Sequence, residues 1–356
     1  MQKVLRKAVL IAVFGAFVSS CHDPQTGEVP TPNAAIKSET VAFKGERVVI
    51  PANFPKELFE QTQEEFDLYY RTVSEDGNKR VSGEAPLLTY EELLPILVKN
   101  NAKYPTITSE DGILEKDLER IFKDFPDIET HEEANEKRAL IYDFYQTMCK
   151  RNVVAEVVAL EKAKRESGRI LGPDSGDLTT PEKNHLLLNP GYAQWYVQAA
   201  KDAIYLAATF YGNATIGNKG NAFKHSTWNA LSIRYILKGS PASENQAVDF
   251  TQDGCSKHEQ TNNGAQIHDK DSAMDLHNNM SAREWMENET SWGFGPFRKM
   301  PSVDDIINNL LGKANSCAMH SMTDILNWHG GNNSVTWNKL YNNLYSPNQH
   351  LVHVVP

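Results

Sequence analysis

Apolar residues recur three and four positions apart along most of the chain, which is the spacing of amphipathic helices. The capping box of Thr89 and Glu92 predicts one helix start, and charged residues alternating with Ala, Val and Leu predict a long helix over residues 132–166. Further helix starts are predicted near Pro55, Thr180, Pro190, Asn221, Glu244, Ser272 and Ser302. Residues 351–355 alone have the pattern of an extended strand. We therefore predict an all-α protein, in which a multi-helical, bundle-like domain is preceded by a second helical segment.

Changes in composition divide the chain into five parts. Residues 1–21 have the pattern of a signal peptide, and residues 22–50 are rich in the Pro, Thr, Ser, Asn and Gly typical of a flexible tether. An N-terminal helical region is predicted over residues 51–168 and a helical domain over residues 177–300. Residues 301–356 are predicted to form a C-terminal helical extension.

The N-terminal sequence resembles a bacterial lipoprotein signal. Basic residues at Lys3, Arg6 and Lys7 precede an apolar stretch over residues 8–17, and a box of small residues ends at Cys21. The resemblance implies a lipid on Cys21, a membrane as partner, and a location in the cell envelope on its periplasmic or surface side. The alternative is an ordinary secretory signal with an incidental cysteine.

Charge and composition narrow the ligands that this chain is expected to bind. Its formal net charge is −10, and removal of a signal that carries three bases and no acids changes this to −13. An acidic protein disfavours nonspecific association with nucleic acid, so we expect no nucleic-acid partner. A small molecule or an envelope component is the expected substrate class.

Three cysteines follow Cys21, and none belongs to a CxxC motif. Neither a zinc ribbon nor a disulfide-rich scaffold is therefore indicated. A disulfide between Cys255 and Cys317 is the favoured pairing, because both flank a polar cluster. Three buried thiols, with Cys149 as the third, are the alternative, and the sequence leaves both open.

The polar cluster lies on helices that otherwise have the pattern of core elements. His225 and Asn229 are four residues apart and share one helix face, while Asp275, Asn279 and Arg283 lie along one stripe of another helix. Asp275 and Asn279 could ligate a divalent cation, and Arg283 could bind an anion or hold Asp275 in place. The alternative is a buried hydrogen-bond network that ties the helices together.

Two further histidines of this region have less certain geometry. His258 and Glu259 are adjacent and point about 100° apart on a helix, so one could be a ligand or general base and the other its orienting partner. A solvated pair at a helix end is the alternative. His277 points away from the Asp275 stripe on a regular helix, and it joins the candidate metal ligands only through a local distortion.

Four ordered blocks of sequence resemble a bacterial helical domain family of unknown function, found in secreted proteins and lipoproteins. The blocks are Asn189-Pro190, the segment from Ala222 to Ala230, His258-Glu259, and the segment from Asp275 to Asn279 with Arg283. The sequence departs from the family pattern in Lys224 for an expected Arg and in Ser281-Ala282 where a Gly is usual. The resemblance implies a helical fold and a shared polar site, and it supplies no reaction.

These residues support two hypotheses of different classes. The first is a metal-dependent or acid–base hydrolase, with His225, Asp275, Asn279 and His277 as candidate ligands of a divalent ion such as Zn²⁺, and Glu259, His258 and Arg283 as candidate catalytic residues. It predicts that the side chains of His225, Glu259 and Asp275 lie within about 8 Å of one another. The second is a non-catalytic lipoprotein that binds a partner and whose polar cluster is structural. A toxin-like effector is a third, less favoured hypothesis.

Overall fold

A computed structural model describes residues 37–74, 88–166, 178–212, 216–290, 299–346 and 349–356. The predicted signal peptide over residues 1–21, with Cys21, lies outside the described residues. The same holds for residues 22–36 of the predicted tether and for residues 167–177 between the two predicted helical regions.

Helices make up 67% of the structure, which confirms the all-α prediction. The described residues form α1 Gln63–Ser74, α2 Tyr90–Asn101, α3 Leu118–Asp124, α4 His131–Glu136, α5 Arg138–Glu166, α6 Thr180–Leu188, α7 Pro190–Tyr211, α8 Lys219–Gly239, α9 Glu244–His258, α10 Lys270–Glu289, α11 Val303–Ser316, α12 Met322–His329 and α13 Ser334–Asn342. Short strands accompany them: β1 Ser38–Phe43, β2 Glu46–Pro51, β3 Ile107–Thr108, β4 Gly112–Ile113, β5 Ala318–Met319 and β6 Val352–His353. The strand expected near the C-terminus is thus present as β6, paired in parallel with β5.

The prediction of a flexible tether is wrong for residues 38–50. Strands β1 and β2 pair there as an antiparallel hairpin, with Lys44 and Gly45 in the left-handed region at its turn. Phe43, Val48 and Ile50 are buried in the main core. The alternation of Val48 and Ile50 with more exposed neighbours is the period-two pattern of a half-buried strand, and it outweighs the polar composition of this segment.

The helix starts follow the capping rules, with two corrections. Thr89 and Ser302 cap α2 and α11 through the predicted capping boxes. The cap of α6 is Thr179 and not Thr180, because the Thr179 side chain accepts from the amide of the third helical residue. The cap of α10 is Asp269 and not Ser272, because the Asp269 carboxylate accepts two amides of the first turn.

The helices on both sides of residues 167–177 share one hydrophobic core. Leu93 and Leu97 of α2 are buried in it together with Tyr196 of α7 and Leu231 of α8. The ring of Tyr90 on α2 lies 5.7 Å from that of Trp228 on α8, edge to face. Residues Ser38–Pro356 form one compact unit, so the two predicted helical regions pack as one body.

A second, smaller core attaches the C-terminal extension to α10. It contains Ala273, Met274, Leu276 and Met280 of α10, together with residues of α12, α13 and β6. Asn278 strengthens this attachment, since its amide side chain donates to the carbonyl of Val352 at 3.0 Å and accepts from the amide of Val352 at 2.9 Å. One face of α10 therefore holds the extension, while the opposite face is free to meet α8.

The three described cysteines are free thiols, and all are buried. The favoured disulfide between Cys255 and Cys317 is therefore absent, and the buried-thiol alternative describes both residues. Cys255 Sγ instead accepts the amide of Asn229 at 3.2 Å. Within the part of the chain that the structure describes, no helix is both long and apolar enough to cross a membrane.

Candidate metal centre

Three buried side chains from three helices converge on one point. His225 lies in the second turn of α8, Glu259 caps the C-terminal end of α9, and Asp275 lies in the second turn of α10. Each offers one ligand atom, and the three atoms lie within 4.8 Å of one another. His225 Nε2 and Asp275 Oδ2 are 3.3 Å apart. This confirms the prediction that the three side chains lie within about 8 Å.

The end of α9 determines where Glu259 points. Glu259 follows the last helical residue with φ −84° and ψ 18°, which turns its side chain away from the helix path. Its main-chain carbonyl accepts from Tyr341 Oη of α13, and its Oε2 accepts from Ser272 Oγ at 3.1 Å. Glu259 is thus held in place through its main-chain carbonyl, which bonds Tyr341, and through its carboxylate, which bonds Ser272 of α10 near Asp275.

The surroundings of the Asp275 and Glu259 carboxyl groups supply too little positive charge to stabilise both in the ionised form. Burial, and then the nearby Glu259 carboxylate, raise the pKa of Asp275 well above its ordinary value, although Lys224 and the amide of Asn221 oppose the shift. Burial likewise raises the pKa of Glu259. Two carboxyl groups in a poorly solvated position favour the protonated form unless a cation neutralises them.

His225 completes the set with an uncharged ring nitrogen. Burial lowers its pKa well below the ordinary value, with Lys224 and His258 adding to the effect. The ring is therefore neutral near pH 7, which is the form that ligates a metal. Its Nδ1 atom is buried and makes no hydrogen bond to any described residue.

The donor set fits a divalent cation. One imidazole nitrogen and two carboxylate oxygens are ligands of Zn²⁺ and Mn²⁺, whose bonds to N and O are about 2.0–2.2 Å long. Such bonds place neighbouring ligand atoms about 3–4 Å apart. The longest separation is at most 4.8 Å, so it needs to contract by about 1–2 Å, which rotation of the side chains can supply.

Beside this centre, Glu182 is a buried acid that the sequence prediction missed. Its Oε2 accepts from His258 Nδ1 at 2.9 Å, and its Oε1 accepts from Tyr90 Oη at 2.6 Å and Tyr196 Oη at 3.1 Å. Burial opposes a charge on His258, but the Glu182 carboxylate outweighs it and raises the pKa of His258. His258 is thus an oriented imidazole whose ring centroid lies 6.1 Å from that of His225.

Asn279 and Arg283 lie in a separate network. Asn229 donates to Asn279 Oδ1 at 2.6 Å and accepts from Arg283 Nη1 at 2.8 Å. Arg283 also donates from Nε to the carbonyl of Leu344 and from Nη2 to that of Asn343. Contrary to expectation, Arg283 does not hold Asp275, because its three hydrogen bonds orient it toward Asn229 and the main-chain carbonyls after α13.

His277 also lies away from the centre. Its ring contacts His329 Nε2 at 3.1 Å and the carbonyl of His350 at 2.9 Å, on the side of α10 that faces the C-terminal extension. Burial lowers its pKa to about 3. Helix α10 is regular at this position, so the distortion that metal ligation by His277 required is absent.

Comparison with known protein families gives one match. Residues 183–317 match the model of a domain of unknown function (DUF6973), a range that includes His225, Glu259 and Asp275. The range is less than half of the chain, and it agrees with the resemblance to a domain family of unknown function. No curated protein matches the chain. No solved structure matches it either.

Proposed function

We propose that His225, Glu259 and Asp275 bind a divalent metal ion and that this centre performs hydrolysis. The observation that carries the proposal is the convergence of a neutral imidazole and two carboxyl groups, all buried, within 4.8 Å. Each buried carboxylate costs free energy unless it is paired, and a divalent cation would neutralise both at once.

Under this proposal the three side chains leave coordination positions for water and substrate. The ion would lower the pKa of a bound water, which makes hydroxide accessible near neutral pH. His258 is our candidate for proton exchange there, because Glu182 fixes its Nδ1 and its ring centroid lies 6.1 Å from that of His225. Glu259, first expected to be the general base, belongs to the ligand set in this account.

A non-catalytic role is the second candidate, and the hydrogen bonds of the cluster favour it. Asn221 Nδ2 donates to Asp275 Oδ1 at 2.9 Å, and Ser272 donates to Glu259. Protonated carboxyl groups with such partners could serve only to join α8, α9 and α10. The domain would then be a structural or partner-binding module.

Metal content distinguishes the two candidates. We expect the protein, purified without chelator, to hold about one equivalent of a divalent metal. Inductively coupled plasma mass spectrometry measures this metal content. Glu259→Gln and Asp275→Asn each remove a charged ligand and are expected to lower metal affinity at least tenfold, roughly 1.4 kcal/mol or more. The exposed Glu115→Gln is the charge-matched control, expected to retain the metal.

The structural alternative predicts a different pattern for the same variants. It predicts no bound metal in any of them and no rise in melting temperature when Zn²⁺ or Mn²⁺ is added. It also predicts a large loss of stability in His225→Ala, because that change opens a cavity between three helices. That pattern would reject the metal centre.

We further propose that Cys21 carries a lipid that anchors the protein to a membrane of the cell envelope. Support comes from the basic residues, the apolar stretch and the small-residue box that ends at Cys21. In a bacterial host grown with an alkyne fatty acid, we expect the protein to be labelled and to sediment with membranes. Cys21→Ser should lose both properties, and label that persists in this variant would contradict the proposal.

A further inference from the structure

A polar cleft lies on another part of the molecule, between α1, α5, α6 and the segment after α9. Its volume is about 560 Å³, within the range of roughly 300–1,000 Å³ typical of small-molecule sites. The wall includes Tyr70 and Arg71 of α1, Arg165 of α5, Asn184 of α6 and Lys257 of α9. None of these residues belongs to the metal centre.

The charges of the cleft are predominantly positive, in a protein whose formal net charge is −10. Arg71, Arg165 and Lys257 have no acidic partner within 4.0 Å among the described residues. The acids of the cleft are already used. Lys183 Nζ contacts Glu161 Oε1 at 2.5 Å, and Asp67 Oδ1 accepts from Gln63 and Asn184. The unpaired cations therefore favour an anion in the cleft.

Two buried polar atoms of the cleft have no hydrogen-bond partner among the described residues. Asn184 is 6% exposed, and while its Nδ2 donates to Asp67 at 3.0 Å, its Oδ1 accepts nothing. Tyr70 is 5% exposed, and burial and the nearby Glu161 carboxylate raise its pKa, although its Oη forms no well-aligned hydrogen bond with a described residue. The Tyr70 ring is fixed from one side by Lys183 Nζ, 4.5 Å from its centroid. Buried polar atoms are normally hydrogen-bonded, so these two point to a ligand that supplies the missing partners.

We infer that this cleft binds a small organic anion that carries a phosphate or carboxylate group together with hydroxyl or amine groups. Arg71, Arg165 and Lys257 bind the oxyanion, for which the planar forks of the two arginines are suited. The ligand's hydroxyl or amine donates to Asn184 Oδ1, and Tyr70 Oη completes the polar contacts. The cleft contains none of the three proposed metal ligands, although its Lys257 lies two residues before Glu259.

Calorimetric titration of the full protein with glycerol 3-phosphate, malate and inorganic phosphate tests the inference. We expect saturable binding of glycerol 3-phosphate or malate, tighter than that of inorganic phosphate. The double variant Arg71→Gln/Arg165→Gln should weaken this binding by about tenfold or more, since it removes charged hydrogen bonds. Tyr70→Phe should weaken it as well and change the melting temperature little, because Tyr70 Oη forms no well-aligned protein hydrogen bond and loses only its contact with Glu161.

The control is the double variant Lys116→Gln/Lys123→Gln, which removes the same charge from exposed positions outside the cleft. It should bind like the unmodified protein. Absence of binding by both organic anions would overturn the inference. If the control variant bound the anion as weakly as the arginine variant, the effect would come from net charge alone, and this too would overturn the inference. Unchanged affinity in both Tyr70→Phe and the arginine variant would also overturn it.

Discussion

Replacement of Arg283 by methionine is expected to lower the free energy of unfolding by about 3–4 kcal/mol. Arg283 is 1% exposed and donates to the side chain of Asn229 and to the carbonyls of Asn343 and Leu344. Methionine fills similar space but leaves the buried Asn229 Oδ1 unpaired, at a cost of about 1–3 kcal/mol, and it also removes the donors of two part-buried main-chain carbonyls. Relief of a buried charge offsets part of this loss, since burial already lowers the pKa of Arg283 to about 10.

Chemical denaturation monitored by circular dichroism measures this change. The matched control is Arg71→Met, the same substitution at an exposed position of α1, which should alter stability by less than about 0.5 kcal/mol. Because Arg283 joins α10 to the segment after α13, the variant should also expose that segment to proteolysis. A loss below about 1 kcal/mol in Arg283→Met would show that the network contributes little.

Metal affinity is expected to rise steeply with pH. The raised pKa values of Asp275 and Glu259 mean that the metal-free protein retains protons that ordinary carboxyl groups lose near pH 4. A metal ion binds the ionised carboxylates, so binding must release these protons. The affinity therefore rises by about tenfold per pH unit for each proton released, and it levels off above the raised pKa values.

The increase of metal affinity with pH comes from the two carboxyl groups alone. His225 contributes no proton near neutral pH, because its lowered pKa keeps the ring neutral. Were the carboxyl pKa values lowered instead, as in an ordinary ion pair, affinity would be independent of pH above about 5. Titration with Zn²⁺ or Mn²⁺ across the neutral range distinguishes these cases.

The sequence was sufficient to predict that His225, Glu259 and Asp275 form one cluster, because two of these residues lie on regular helices. His225 and Asp275 each lie on the inward face of a helix whose period can be counted, and Glu259 lies next to a histidine at a helix end. Helix periodicity also correctly predicted that His277 points away from the stripe that contains Asp275. Helix periodicity does not predict how one helix is rotated about its axis relative to another. That rotation places Asn279 next to Asn229 and not next to Asp275.

The failures of prediction have local physical causes. Glu182 lies in the first turn of α6, where its amide donates to Thr179 Oγ1, yet its side chain turns inward to three donors. Those donors, Tyr90, Tyr196 and His258, come from three other helices, so no local pattern marks them. The hairpin over residues 38–51 was missed because its polar surface residues outnumber its few buried ones.

Asp275, Glu259 and His225 are proposed to form a metal centre, and metal binding should therefore be coupled to proton release from their carboxyl groups. Calorimetric titration of Zn²⁺ into the metal-free protein at pH 6, in buffers of different ionisation enthalpy, tests it most directly because it counts the protons released. We expect stoichiometric binding with the release of about one proton or more, and Asp275→Asn should reduce both the number of protons released and the affinity. Absence of saturable binding, or binding without proton release that Asp275→Asn leaves intact, would contradict it.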